Sequence, residues 1–218
     1  TAADSTAQDA LIDAGKGAGN SATFDMSAGG NNTFVAGDDA ARSSGSIAYT
    51  GGAGDDSLTF GDDLALVNGS ATFDMSLGGN NTFVAGKHAD SASSSITYAG
   101  GPGGDSLTFG DGLVHSGSAS FDMSEGGNNT FVADNYAASS GSLSYTGGSG
   151  DDSLTFEDYL ASDGTATFDM SADGNNTFVA GSSAADYGSM SYIGGSGNDS
   201  LTFGTHLADG GTATFDMS

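Results

Sequence analysis

Ser21-Ala22-Thr23-Phe24-Asp25-Met26, the turn Ala28-Gly29-Gly30-Asn31-Asn32 and the run Thr33-Phe34-Val35-Ala36 together decide the fold. In the first run Ala22, Phe24 and Met26 share one face and Ser21, Thr23 and Asp25 the other, the period of two expected of a half-buried strand. Glycine in the turn permits backbone angles closed to other residues. The second run alternates again, with Phe34 and Ala36 inward. Two strands this short bury little by themselves, so the question is whether they recur.

They do. TFDMS occurs at 23–27, 72–76, 167–171 and 214–218, and SFDMS at 120–124, so Phe24, Phe73, Phe121, Phe168 and Phe215 mark a period of 47 to 49 residues. Between them lie SIAYTGG, SITYAGG, SLSYTGG and SMSYIGG, centred on Tyr49, Tyr98, Tyr145 and Tyr192. The unit is therefore a half-repeat of 23 to 25 residues in two alternating types, a Phe type and a Tyr type. In the Tyr type Ser46-Ile47-Ala48-Tyr49 passes through GGAGDD at 51–56 into Ser57-Leu58-Thr59-Phe60, with Leu58 and Phe60 inward.

Identical parts in a constant order mark a supersecondary unit that buries its apolar side only by stacking on its neighbours. The sequence predicts an all-β parallel β-solenoid with about 24 residues per coil and two alternating coil types. Residues 21–218 would form about eight to nine coils and residues 1–20 an N-terminal partial coil. Coils about 4.8 Å apart give a rod on the order of 40 Å long, its interior filled by columns of like Phe, Tyr, Met, Leu and Ile side chains. The rest of each unit (GDDAARSSG at 37–45, GDDLALVNG at 61–69, GKHADSASS at 86–94, DNYAASSG at 134–141) carries nearly all the length variation. It reads as a surface side or corner.

Composition narrows the function. The 218 residues include 38 Gly, 1 Pro, no Cys and no Trp, and 28 Asp and Glu stand against 3 Lys and Arg for a net charge of -25. Nucleic acid is excluded as a partner, because that affinity comes mainly from Lys and Arg displacing counterions. Cations are better partners than anions. Without cysteine, stability must come from packing, hydrogen bonds or oxygen-ligated ions, and no apolar stretch approaches the length of a membrane span. His88, His115 and His206 sit at non-equivalent places, and no nucleophile, base and orienting group can be assembled from the sequence, so no enzyme activity is expected.

Each Tyr-type unit carries G-G-x-G-x-D-x-L-x: GGAGDDSLT at 51–59, GGPGGDSLT at 100–108, GGSGDDSLT at 147–155 and GGSGNDSLT at 194–202. This nonapeptide resembles the repeat of the RTX (repeats-in-toxin) β-roll, whose first six residues form a calcium-binding turn and whose last three form a short strand. The resemblance implies Ca2+ ligation by the carboxylates of Asp56, Asp105, Asp152 and Asp199. It also implies ligation by backbone carbonyls of Gly51, Gly52 and Gly54, of Gly100, Gly101 and Gly103, of Gly147, Gly148 and Gly150, and of Gly194, Gly195 and Gly197. A hard divalent ion takes six to eight oxygens, which tight turns are able to supply. In RTX proteins, however, the nonapeptides run in tandem. Here they lie 47 to 49 residues apart, and the intervening turns read GGNN at 29–32, 78–81 and 126–129, and GNN at 174–176. Asn ligates calcium or stacks in hydrogen-bonded ladders without metal, and Asp also closes turns through nearby N–H groups. The residues leave both readings open.

Outward positions such as Thr33 and Val35, Ser57 and Thr59, or Ser106 and Thr108 form a hydroxyl-rich face. Thr and Ser suit exposed strands, and regular threonine arrays also resemble ice-binding faces. Asp9-Ala10-Leu11-Ile12-Asp13 reads as a second strand without a first, and the sequence stops at Ser218 after a first strand without a second. These features suggest either a head-to-tail homopolymer or a segment of a longer repeat protein. The expected function is structural, in an extracellular or cell-surface filament, matrix, surface layer or adhesin. An ice-binding protein and a carbohydrate-binding adhesin module with a glycan or cell-surface target are the alternatives.

Overall fold

Every strand lies parallel beside the equivalent strands of the coils before and after it, so each half-repeat winds once around a common axis. The computed structural model describes residues 9–12 and 20–217, which contain strands and turns but no helix. The leading strands form one nine-stranded sheet from Ser21–Asp25 to Thr212–Asp216, and the following strands form a second from Asp9–Ile12 to Ser200–Phe203. Asp9–Ile12 pairs with Thr33–Ala36, in the place of a second strand. The rest of the segment read as a partial coil lies outside the described residues.

The register places unlike residues of matched shape over one another. Phe24, Tyr49, Phe73 and Tyr98 follow in one file, as expected of like residues, but beside it Ala22, Ile47, Ala71 and Ile96 alternate small with large. In the second sheet Phe34, Leu58, Phe83 and Leu107 alternate, and so do Ala36, Phe60, Ala85 and Phe109. The phenyl rings therefore zigzag: Phe34 to Phe60 is 5.4 Å, Phe60 to Phe83 5.5 Å and Phe83 to Phe109 5.4 Å between centroids. Tilted contacts at this spacing suit the ring quadrupoles better than face-to-face stacks. Met and Gly complete the fit, because a Cβ on Gly51, Gly100 or Gly147 would press on Met75, Met123 or Met170 of the coil above. The two coil types are two halves of one packing pattern.

The irregular segment is not simply a surface side. It supplies a third wall, with a five-stranded sheet of two-residue strands from Ala41–Arg42 to Ala138–Ser139. Ala40, Leu64, Ala89, Leu113, Ala137 and Leu160 point inward along it and are buried. Each stands four residues past the last inward residue of the preceding strand, and small again alternates with large. That periodicity is visible in the sequence, but the apolar residues beside it, as in Leu64-Ala65-Leu66-Val67, conceal which position is the inward one. Length varies at the corners while the wall keeps its place.

One coil breaks the pattern. Asp90 occupies a buried position whose neighbours in register are Ala65 and Val114, and neither of its carboxylate oxygens has a hydrogen-bond partner. Burial pushes its carboxyl up to about 7. The Ser118 N–H opposes the rise only in part, its own hydrogen bond going to the Ser94 carbonyl at 3.1 Å. Because the folded chain holds this proton where an unfolded Asp (ordinarily near 3.8) has lost it, stability falls as pH rises from about 4 to about 7 and then levels off. Asp90→Ala, which restores the side chain found at Ala65, should raise stability at pH 8 by about 2–4 kcal/mol and by far less at pH 4. Urea denaturation followed by circular dichroism at both values checks it; an equal gain at both would show that the carboxyl charge is not the cause.

Candidate functional site

Asp56, Asp105, Asp152 and Asp199 are brought into a single file at one corner of the solenoid. They alternate with Asn32, Asn81, Asn129 and Asn176 of the Phe-type turns. Period-two alternation turns the residue just before each second strand inward, and Asp56, Asp105 and Asp152 are 2%, 1% and 1% exposed. Each Asn donates both its backbone N–H and its Nδ2 to the Oδ1 of the Asp one coil on. The distances are 2.8 and 2.8 Å for Asn32 to Asp56, and 2.9 and 3.1 Å for Asn81 to Asp105. In return the N–H groups of Asp56, Asp105 and Asp152 donate to the Oδ1 of Asn81, Asn129 and Asn176 at 3.0, 2.9 and 3.0 Å.

The second carboxylate oxygen is also engaged. The hydroxyls of Tyr98, Tyr145 and Tyr192 donate to Oδ2 of Asp105, Asp152 and Asp199 at 3.2, 3.3 and 3.1 Å, and the Gly52 N–H donates to Oδ2 of Asp56 at 3.2 Å. Burial raises the carboxyls of Asp105 and Asp152, the latter to about 6, against the lowering influence of the Asn81 and Asn129 N–H groups. Burial, followed by the neighbouring carboxylates, drives the Tyr98 and Tyr145 phenols well above their ordinary range. Alternation keeps successive carboxylates two coils, or about 9.5 Å, apart. It also lets each amide serve as donor on one side and acceptor on the other.

This donor set does not fit a calcium ion. Calcium needs six to eight oxygens aimed at one point, whereas here amide and hydroxyl hydrogens converge on each carboxylate. Gly51, Gly100, Gly147 and Gly194 lie against Oδ2 of their own Asp, leaving no room for a side chain. Gly52, Gly101, Gly148 and Gly195 press on the backbone of the turn before. A Cβ on Gly54, Gly103, Gly150 or Gly197 would overlap the carbonyl of Gly30, Gly79, Gly127 or Gly174. Close approach between coils explains these glycines. Among the described residues, no three His, Asp or Glu side chains converge as a metal centre.

Two further files run outside. Asp55 and Asp151 accept the N–H groups of Asn80 and Asn175, both at 2.7 Å, and donate their own to Asn31 and Asn128 at 3.0 and 2.9 Å. Asp62 and Asp158 likewise accept from the Lys87 and Ser182 N–H groups, both at 2.7 Å. Much of the acidity thus closes backbone turns between coils. The hydroxyl face has two files, Thr33-Ser57-Thr82-Ser106 and Val35-Thr59-Val84-Thr108, so every second place in the latter lacks a hydroxyl. His88 lies 3.7 Å from Asp63 through Nδ1 on an exposed corner, away from any assembled nucleophile.

No protein-family model, curated protein or solved structure matches this chain.

Removing the Asp105 carboxylate leaves the Asn81 N–H and the Tyr98 hydroxyl buried without partners, at about 1–3 kcal/mol each, while Asn81 Nδ2 keeps the Gly78 and Gly79 carbonyls. Asp105→Ala should therefore cost about 3 kcal/mol or more, and Asp105→Asn, which keeps an acceptor for Asn81, no more than about 1 kcal/mol. Urea titration of both variants checks the ranking. Thermal melting in calcium, in magnesium at equal ionic strength and in chelator should give one midpoint; a rise specific to calcium would restore the cation reading.

Proposed function

We propose that the chain is a non-catalytic structural rod that extends by head-to-tail association with further copies of itself. The observation that carries the rod is the repetition of its contacts: the Asn-to-Asp bonds of the corner file and the ring contacts of the core recur from coil to coil in one register. Coils that repeat in this way match the coils of another copy, and a heterologous contact of that kind grows into a filament.

The setting belongs to the same proposal. A surface with 3 Lys and Arg in 218 residues offers trypsin-like proteases few sites, which suits an extracellular or cell-surface matrix, layer or adhesin stalk. Its charge of -25 keeps rods apart sideways. The ice-binding alternative gains less from the geometry, because Val interrupts one of the two hydroxyl files on the second sheet.

Sedimentation velocity over a concentration series, with negative-stain electron microscopy, tests the proposal. Species should grow with concentration into rods of constant width. Monomers that persist at millimolar concentration would overturn it.

A further inference from the structure

The corner between the second sheet and the third wall carries a column of residues held at positive φ: Asp39, Asp63, His88, Gly112, Tyr136, Tyr159, Ser183 and His206. Backbone hydrogen bonds step along it in register, from the His88 N–H to the Asp111 carbonyl, from Gly112 to Asn135 and from Tyr136 to Asp158, at 2.8, 2.8 and 3.0 Å. Tyr136 and Tyr159 on adjacent coils stack with centroids 4.7 Å apart and planes 3° from parallel. The coil pitch therefore equals a ring-stacking distance. Gly112, at φ 71°, contributes no side chain, so the column has a gap one ring thick between His88 and Tyr136, which are two coils or about 9.5 Å apart.

A cleft of about 280 Å³ occupies this gap, lined by His88, Asp111, Gly112, His115, Tyr136 and Ser139. One face of Tyr136 is covered by Tyr159, and the ring borders the cleft. The rim is held in place. The Asp111 carboxylate accepts from Lys87 Nζ at 3.0 Å and from Asn135 Nδ2 at 3.2 Å. His88 turns Nδ1 toward Asp63, and its Cδ2 lies 3.1 Å from where a Cβ on Gly112 would stand, with Nε2 at 3.9 Å.

We propose that this cleft binds one pyranose ring of a neutral glycan, its C–H face stacked on Tyr136 and its hydroxyls bonded to His88, Asp111, His115 and Ser139. The cleft lies at the small end of ligand pockets and suits one monosaccharide unit. A flat apolar platform bordered by several donors and acceptors matches a ring that carries hydroxyls around its edge. Acidic sugars and nucleotides are repelled by Asp111 and by the charge of -25. The site stands apart from the end-to-end contact and does not depend on it.

Saturation-transfer NMR on the full chain tests this with glucose, galactose, mannose, N-acetylglucosamine and short oligomers of each, with indole and adenosine as flat-ring controls. Two substitutions have precedents within the column. Gly112→Tyr places in the gap the residue that Tyr136 and Tyr159 already carry at φ 60° and 64°, and Tyr136→Ser copies Ser183 at φ 59°. At least one sugar should show transfer, both variants should weaken its binding about tenfold, and Tyr136→Phe should keep it. Circular dichroism melting confirms that each variant folds. Absence of transfer from every sugar, transfer undiminished in Gly112→Tyr, or binding of indole or adenosine in place of sugars would overturn the proposal.

Discussion

The structure depends on one distance, the separation of about 4.8 Å at which parallel strands share hydrogen bonds. A chain that returns to the same azimuth every 23 to 25 residues must place every backbone atom of a coil that far from its counterpart. Aromatic rings pile one above another at this pitch, as Phe24 and Tyr49 do, and the files beside them must fill the space around the rings. The two coil types do so by setting Ala over Ile, Leu over Phe and Gly over Met.

The same constraint governs the polar corner. Identical carboxylates stacked at the coil pitch would repel one another in a medium that screens poorly. Asn between successive Asp residues doubles their spacing and provides donors at the right height. Tyr hydroxyls reach the remaining oxygen from the same coil, seven residues before the Asp that accepts them. The inner surface of the corner is thus a continuous hydrogen-bonded file, rigid because each of its members touches both neighbours. The file makes use of most of the features that resemble a calcium turn.

Where the repeat is broken, chemistry enters. Asp90 places a carboxyl between Ala65 and Val114 and sets a pH dependence on one coil, and Gly112 interrupts a corner column whose neighbours are rings. Both lie in the segment that varies most in the sequence. A repeat protein tolerates change there because the strands on either side already hold the register, so single coils are free to acquire surface properties of their own.

The spacing of Phe24, Tyr49 and Phe73, with the period-two pattern around each, was sufficient by itself to determine a parallel solenoid, its coil length, its two coil types and the faces of its long strands. Those properties follow from local alternation and from repetition, which a linear reading captures. The third wall was harder to read, since Ala40 stands beside Ala41 and Leu64 opens the run Leu64-Ala65-Leu66-Val67, and which of them face inward is decided once the coil has closed. Whether Asp56 faces an ion or an amide was open for a different reason. The answer depends on which groups of the coils above and below point at its oxygens, and only the tertiary structure puts Asn32 Nδ2 and its N–H within hydrogen-bonding distance of that carboxylate.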